Sequence, residues 1–134
     1  MRTRRNRIAV LVTAVVMLLT GGIGGLQTAS AAPTIDGVCG SYWGTSWPPP
    51  TVSQGSVDTT NPSAVKLAQC YLNFSMSGDN LTVDGMFGPQ SNTAARRFQS
   101  CAGGLSVDGY VGPNTWNSLR YWANSPNYAC SLNL

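Results

Sequence analysis

Three stretches of this chain carry apolar residues at helical spacing, and each is introduced by a residue suited to capping followed by a proline. Val65, Ala68 and Leu72 recur every three to four positions and predict a helix from Asn61-Pro62 to about Asn73. Ala94, Ala95 and Phe98 follow Gly88-Pro89, while Trp116, Leu119 and Ala123 follow Gly112-Pro113, and these predict two more. Proline suits the first helical position, because the N–H it lacks would have no partner there. Between the helices the period changes to two. Leu81, Val83 and Phe87, then Leu105, Val107 and Val111, alternate with other residues, so these side chains are expected to plug the bundle while the turns stay at the surface. The expected fold is all-α, a small three-helix bundle over residues 61–123. Residues 32–60, rich in Gly, Ser, Thr and Pro and including Pro48-Pro49-Pro50, keep no period and read as an extended arm. Residues 124–134 form a polar tail.

The two alternating segments are copies of each other. Leu81-Thr-Val-Asp-Gly-Met-Phe-Gly-Pro-Gln-Ser91 returns as Leu105-Ser-Val-Asp-Gly-Tyr-Val-Gly-Pro-Asn-Thr115, with Leu, Val, Asp, Gly, Gly and Pro in register. Asp84-Gly85 and Asp108-Gly109 each supply a side-chain acceptor for nearby backbone N–H groups, then a residue free to take positive φ, which makes a tight turn. Asp-Gly between apolar residues also signals a β-hairpin. Here Gly-Pro arrives after only two more residues, too few for a returning strand.

The doubled pattern resembles the three-helix, DG-repeat peptidoglycan-binding module of secreted bacterial cell-wall proteins, and the resemblance implies a small secreted protein of bacterial, actinobacterial origin. The likeness runs from Val65 to Leu119. A helix with Val65, Ala68, Gln69 and Leu72 precedes Asp84, Gly85, Phe87 and Gly88; Phe98 and Gln99 end the next helix; and Gly104, Leu105, Asp108, Gly109, Gly112, Thr115, Trp116 and Leu119 complete the motif. Ala68 departs from the family's usual Leu, and Ser91-Asn92 from a Thr-containing helix start. The resemblance implies a shallow groove that recognises the glycan or stem peptide of peptidoglycan. Side chains beside the turns and helix starts that the core does not need are the candidates for its lining: Met86, Gln90, Asn92, Tyr110, Asn114 and Asn117. Met86 and Tyr110 occupy the same slot after Asp-Gly and are expected to point outward together.

The amino terminus changes how the charge is read. Arg2, Arg4, Arg5 and Arg7 precede an apolar run from Ile8 to Leu19 and a small-x-small site at Ala29-Ser30-Ala31, so residues 1–31 read as a signal peptide. The run is shorter than the ~20 residues a spanning helix needs, and no membrane association is expected after cleavage. Four of the eight basic residues leave with it, and Lys66, Arg96, Arg97 and Arg120 against five aspartates give the mature chain a net charge of −1. That excludes a basic stripe for nucleic acid.

Four cysteines, Cys39, Cys70, Cys101 and Cys130, in an exported chain read as two disulfides. Spacings of 31, 31 and 29 residues, with no C-x-x-C pair and no histidine, argue against a metal site. Of the three connectivities, Cys70–Cys101 within the module and Cys39–Cys130 between the extensions is expected, each bond joining segments of like position relative to the bundle. Catalysis is not expected. The chain has no His and no Glu, and its one carboxylate pair, Asp84 and Asp108, is committed to turns. Tyr42, Trp43, Trp47, Tyr121 and Trp122 form a further aromatic set, read as packing of the arm on the bundle with a carbohydrate platform as the alternative. The overall expectation is a monomeric, secreted, wall-associated binding protein without cofactor or catalytic residue. The alternatives are a secreted inhibitor or interaction protein on the same scaffold, or an accessory subunit of a wall hydrolase.

Overall fold

A computed structural model describes residues 34–131, Thr45 excepted. The expected signal peptide lies outside the described residues. The architecture is helical, and among the described residues extended pairing is confined to isolated bridges. Among the described residues four α-helices are present: α1 (Ile35–Cys39), α2 (Ala64–Ser75), α3 (Pro89–Ala102) and α4 (Pro113–Asn124), with a 3₁₀ turn at Gly40–Tyr42. The last three are the expected bundle. The short α1 lies in the segment expected to be an extended arm, so the described residues hold four helices where three are expected.

α3 and α4 begin as the sequence predicts, with Gly88 and Gly112 as caps and Pro89 and Pro113 at the first helical position. α2 does not. Its first residue is Ala64, Asn61-Pro62 is a cis peptide bond ahead of the helix, and Ser63 stands at the cap without a side-chain bond. The free N–H groups of α2 are met from a distance. Asp58 accepts from Val65 N at 3.0 Å and Lys66 N at 2.9 Å, one carboxylate oxygen to each. A negative group at a helix amino terminus satisfies orphan donors and complements the helix dipole together. Sequence-local reading points to the Asn-Pro pair because it cannot see a cap supplied from residues earlier.

α2 is the central element. Val65, Ala68 and Leu72 are buried as their spacing predicts, but so are Leu67, Cys70 and Tyr71 on other faces. The arm explains this. α2 packs chiefly on α4 along one side, while α1 and the 3₁₀ turn cover another. Phe87, Phe98, Val111, Trp116, Leu119 and Ala123 complete the core, each no more than 1% exposed. Burying a side chain the size of Leu67 contributes about 1.5–3 kcal/mol, so covering α2 is itself a source of stability. Of the alternating residues, Phe87 and Val111 plug the bundle, Leu81 and Leu105 pack at its margin, and Val107 is exposed. The expected inward role of Val107 is therefore corrected.

The arm packs on the bundle, as the reading of its aromatic residues expects, and its backbone also pairs with the repeats. Val52 exchanges backbone hydrogen bonds with Val111, at 3.3 and 2.8 Å. Further on, Gly55 donates to the Phe87 carbonyl, Phe87 donates to that of Ser56, and Asp58 donates to that of Gly85. Trp116 Nε1 donates to the Pro50 carbonyl at 3.1 Å. One short segment thus pairs with both repeats. The tail is held in the same way, with Ala129 N donating to Ser75 O and Ser77 N to Cys130 O.

The disulfides are Cys39–Cys70 and Cys101–Cys130. This overturns the expected pairing of Cys39 with Cys130 and Cys70 with Cys101. The reason is the packing just described: α1 lies on α2, which brings Cys39 to Cys70 at a Cα separation of 5.6 Å. The tail turns back beside the end of α2, placing Cys130 5.4 Å from Cys101 at the end of α3. The first bond ties the arm to the helix it covers, and the second ties the tail, paired beside the end of α2, to α3. Closing a loop of about 30 residues contributes about 3–4 kcal/mol on the chain-entropy account.

Digestion without reductant, followed by mass mapping, is expected to give the Cys39–Cys70 and Cys101–Cys130 peptides. A Cys101→Ala/Cys130→Ala double variant should lose about 2–4 kcal/mol in denaturant unfolding, and a loss near zero would show that the tail is anchored by its backbone bonds alone.

Candidate functional site

The two repeats are built around two buried glutamines. Gln69 on α2 accepts at Oε1 from Asp84 N (3.1 Å) and Gly85 N (3.0 Å). Its Nε2 donates to Asp84 Oδ1 (2.9 Å), Met86 O (3.0 Å) and Ser91 Oγ (3.0 Å). Gln99 on α3 repeats the arrangement. Its Oε1 accepts from Asp108 N (3.1 Å) and Gly109 N (2.9 Å), and its Nε2 donates to Asp108 Oδ1 (3.0 Å), Tyr110 O (3.0 Å) and Thr115 Oγ1 (3.3 Å). A single primary amide thus fixes the aspartate, the glycine, the next carbonyl and the first turn of the following helix. Ser91 and Thr115 do the same work with a hydroxyl, so the departure from a Thr-containing start costs no hydrogen bond.

The turns have the expected conformation. Gly85 and Gly109 both sit at φ +79°, where a side chain is strained. Space is also tight: a Cβ on Gly109 would collide with Asn92 Oδ1, and one on Gly85 would lie 3.2 Å from Asp58 Oδ2. Asp84 Oδ1 accepts from Met86 N, and Asp108 Oδ1 from Tyr110 N, each at 2.9 Å. These backbone N–H bonds, then the glutamine amides, hold both carboxyls below the usual carboxylate range, with Lys66 and Arg96 adding smaller attractions.

These anchors present the next side chain to solvent. Met86 is 57% exposed and Tyr110 56%, and Val57 of the arm, bridged to Met86, is 58% exposed. Met86 lines an open depression of about 270 Å³ with Gln54, Ser56, Val57, Phe87 and Pro89. Gln90 and Asn114 stand exposed on the first turns of α3 and α4. Two of the six expected groove residues are already engaged by the fold: Asn92 is half-buried against Gly109, and Asn117 accepts from Trp47 Nε1 at 2.8 Å. Among the described residues no hydrogen bond, ion pair or ring contact links Met86, Gln90 or Asn92 to Tyr110, Asn114 or Asn117. The element that relates the two turns is the arm, because Val52 and Val57 pair with Val111 and Met86 respectively, at most about 17 Å apart along an extended chain. Val57, Gln54 and Ser56 therefore belong to this surface although sequence reasoning did not include them. Their only signal is the two isolated valines in a polar stretch.

With this geometry in view the kinship is plain. Residues 61–119 match the family described as "Putative peptidoglycan binding domain". It is 41% identical over 110 residues to a Kitasatospora aureofaciens protein described as "Uncharacterized protein in bpoA1 3'region", covering 81% of this chain and 86% of that one. It is also 38% identical over 93 residues to the Zinc D-Ala-D-Ala carboxypeptidase of Streptomyces albus G, covering 69% of this chain but only 33% of the enzyme. Among the described residues no group of three or more His, Cys, Asp or Glu is placed to hold a metal ion, and no helix is long and apolar enough to cross a membrane.

Gln99→Ala should destabilise the fold by about 2–4 kcal/mol, because it leaves the buried Gly109 N–H without an acceptor. Gln99→Glu should be no better at neutral pH, since a carboxylate would face Asp108 Oδ1 and the Tyr110 carbonyl. Denaturant unfolding of the two variants checks this, and a Glu variant of wild-type stability would contradict it.

Acid should weaken the same anchors. Asp84 and Asp108 have folded pKa values below their unfolded ones, near 3.9. Their contribution is present above about pH 5 and is lost as pH falls through the folded values. Thermal midpoints should decline below about pH 4, and the Asp84→Asn/Asp108→Asn variant should show a shallower decline.

Proposed function

We propose that the protein is a secreted, non-catalytic binder of peptidoglycan, attaching to the glycan or stem peptide through the surface that the two Asp-Gly turns and the arm present. The observation that carries this reading is the doubled exposure at one position. Met86 and Tyr110 follow Asp-Gly in both repeats, each has its backbone held on both sides, and each projects more than half exposed. Rigidly mounted, exposed apolar groups beside polar helix starts are what a shallow recognition surface requires, because little side-chain or backbone freedom is lost on binding.

The chemical inventory supports a binding role. The 134 residues include no His and no Glu, and all four cysteines are in disulfides, which reduces the general bases to Asp, Lys or Tyr and removes any thiolate nucleophile. The disulfides are in keeping with an oxidising, extracellular location. The match to one third of a D-Ala-D-Ala carboxypeptidase favours a second role on the same surface: positioning a wall hydrolase on its polymer, as an accessory protein.

Co-sedimentation with purified cell walls tests the reading. Wild type should sediment with the walls and release no muropeptides. Tyr110→Ala should bind more weakly by about 1–2 kcal/mol, with its thermal midpoint nearly unchanged, as befits an exposed anchor. Sedimentation no better than a neutral control would leave the scaffold to an inhibitor or protein-interaction role, and muropeptide release would make the protein an enzyme.

A further inference from the structure

The arm builds a second concavity. An open pocket of about 240 Å³ is lined by Asp36 of α1, Trp43 and Trp47 of the following loop, Leu67 and Tyr71 of α2, and Arg120 of α4. Much of its wall is aromatic and fixed. Trp47 meets Tyr71 edge-on at 6.4 Å and Trp116 edge-on at 6.1 Å, and its indole N–H is held by Asn117. The Trp43 indole N–H donates to the Ser46 carbonyl. Both indoles have thus satisfied their polar edge within the protein, which leaves their carbon surface as what they can offer a ligand.

The polar side of the pocket is a compensated pair. Asp36 accepts from Tyr71 Oη (2.7 Å), Arg120 Nε (2.9 Å) and Asn124 Nδ2 (2.9 Å), and the Arg120 guanidinium stands 4.8 Å from the centre of the Trp47 ring. Burial pushes Asp36 up, but the bonds from Tyr71, Asn124 and Arg120 outweigh it and hold the carboxyl low. The pair therefore stays charged, and mutually neutralised, at neutral pH. Among the described residues the two Nη groups of Arg120 hold no protein acceptor. An anionic ligand would meet the Asp36 carboxylate as well as the guanidinium, and so gains little. A neutral ligand with an apolar face and outward oxygens gains on both counts. The volume lies below the range of drug-sized sites and suits one ring.

We propose that this pocket is a saccharide subsite, taking one neutral N-acetylated pyranose ring of a wall glycan against the Trp43 and Trp47 indoles, with a hydroxyl or acetamido oxygen on Arg120. It rests on the wall-binding reading for the source of the sugar, but on residues separate from the repeat surface.

The test is titration of the intact, disulfide-bonded protein with chitotetraose, a peptide-free β-1,4 N-acetylglucosamine tetramer, read by tryptophan emission and calorimetry, alongside wall sedimentation. Wild type should give a saturable signal in the millimolar range or tighter. Trp43→Ala and Arg120→Lys should each weaken it at least fivefold, the latter keeping the charge but losing the fork, while Ser100→Ala, exposed on the outer face of α3, leaves it unchanged. Arg120 is an exposed helical residue, so its variant keeps the test open should Trp43→Ala fail to fold. Absence of a saturable signal, or equal affinity in Arg120→Lys, overturns the subsite. If walls still sediment in that case, the repeat-surface reading stands without it. If the tetramer binds through Trp43 and Arg120 while walls do not sediment, the subsite stands and the repeat-surface reading falls.

Discussion

The buried side-chain amide of glutamine is the interaction on which the rest of this structure depends. A primary amide carries an acceptor and two donors in one plane, and so can stand in for a short length of paired backbone. Gln69 and Gln99 do this for the two Asp-Gly turns, in which the chain reverses through a left-handed glycine and could not form a regular ladder. The turn N–H groups of Gly85 and Gly109 are buried, and leaving either without an acceptor would cost more than a typical hydrogen bond contributes. Each glutamine also reaches the hydroxyl of the next helix, Ser91 or Thr115, so one helix sets the start of another. The bundle is in effect a chain of two such couplings, α2 to α3 and α3 to α4.

What the arm adds follows from the asymmetry of the ends. The second turn is packed by Asn92 from the first turn of α3, but the first turn has no preceding repeat to supply an equivalent. Asp58 fills that place, lying against Gly85 and capping α2 at once. The arm thus completes the first repeat, and its pairing with Val111 ties that repeat to the second. Both disulfides act in the same sense, fastening the arm to α2 and the tail to α3. An extension of this kind converts a small core, which buries too little area to be secure by itself, into one whose central helix is covered on several faces.

Most of the bundle was legible in the sequence because its signals are local. Gly88-Pro89 and Gly112-Pro113 mark helix starts through the backbone preferences of those residues, Asp-Gly marks the turns, and Trp116, Leu119 and Ala123 mark a face. The roles that went unread are non-local. Gln69 and Gln99 stood in the recognised motif, yet nothing adjacent says that their partners lie 15 and 9 residues away. Asp58 as the cap of α2 overrode the Asn61-Pro62 signal for the same reason. Position along the chain does not reveal the disulfide pairing, because the bonds follow how the arm and the tail fold back on the helices. Of the six expected groove residues, Asn92 and Asn117 look like free polar surface in sequence, and it is Gly109 and Trp47, far along the chain, that engage them.

The central claim is that two glutamine-held turns and the arm that joins them form one recognition surface. Amide chemical-shift mapping with soluble, peptide-bearing peptidoglycan fragments tests it most directly. The account predicts that shifts concentrate at residues 86–90 and 110–114 and at 54–57 of the arm, with Gly85 and Gly109 moving little because their amides are held from within. Shifts confined to the outer face of α3, around Arg96 and Ser100, with these segments unmoved, would contradict it.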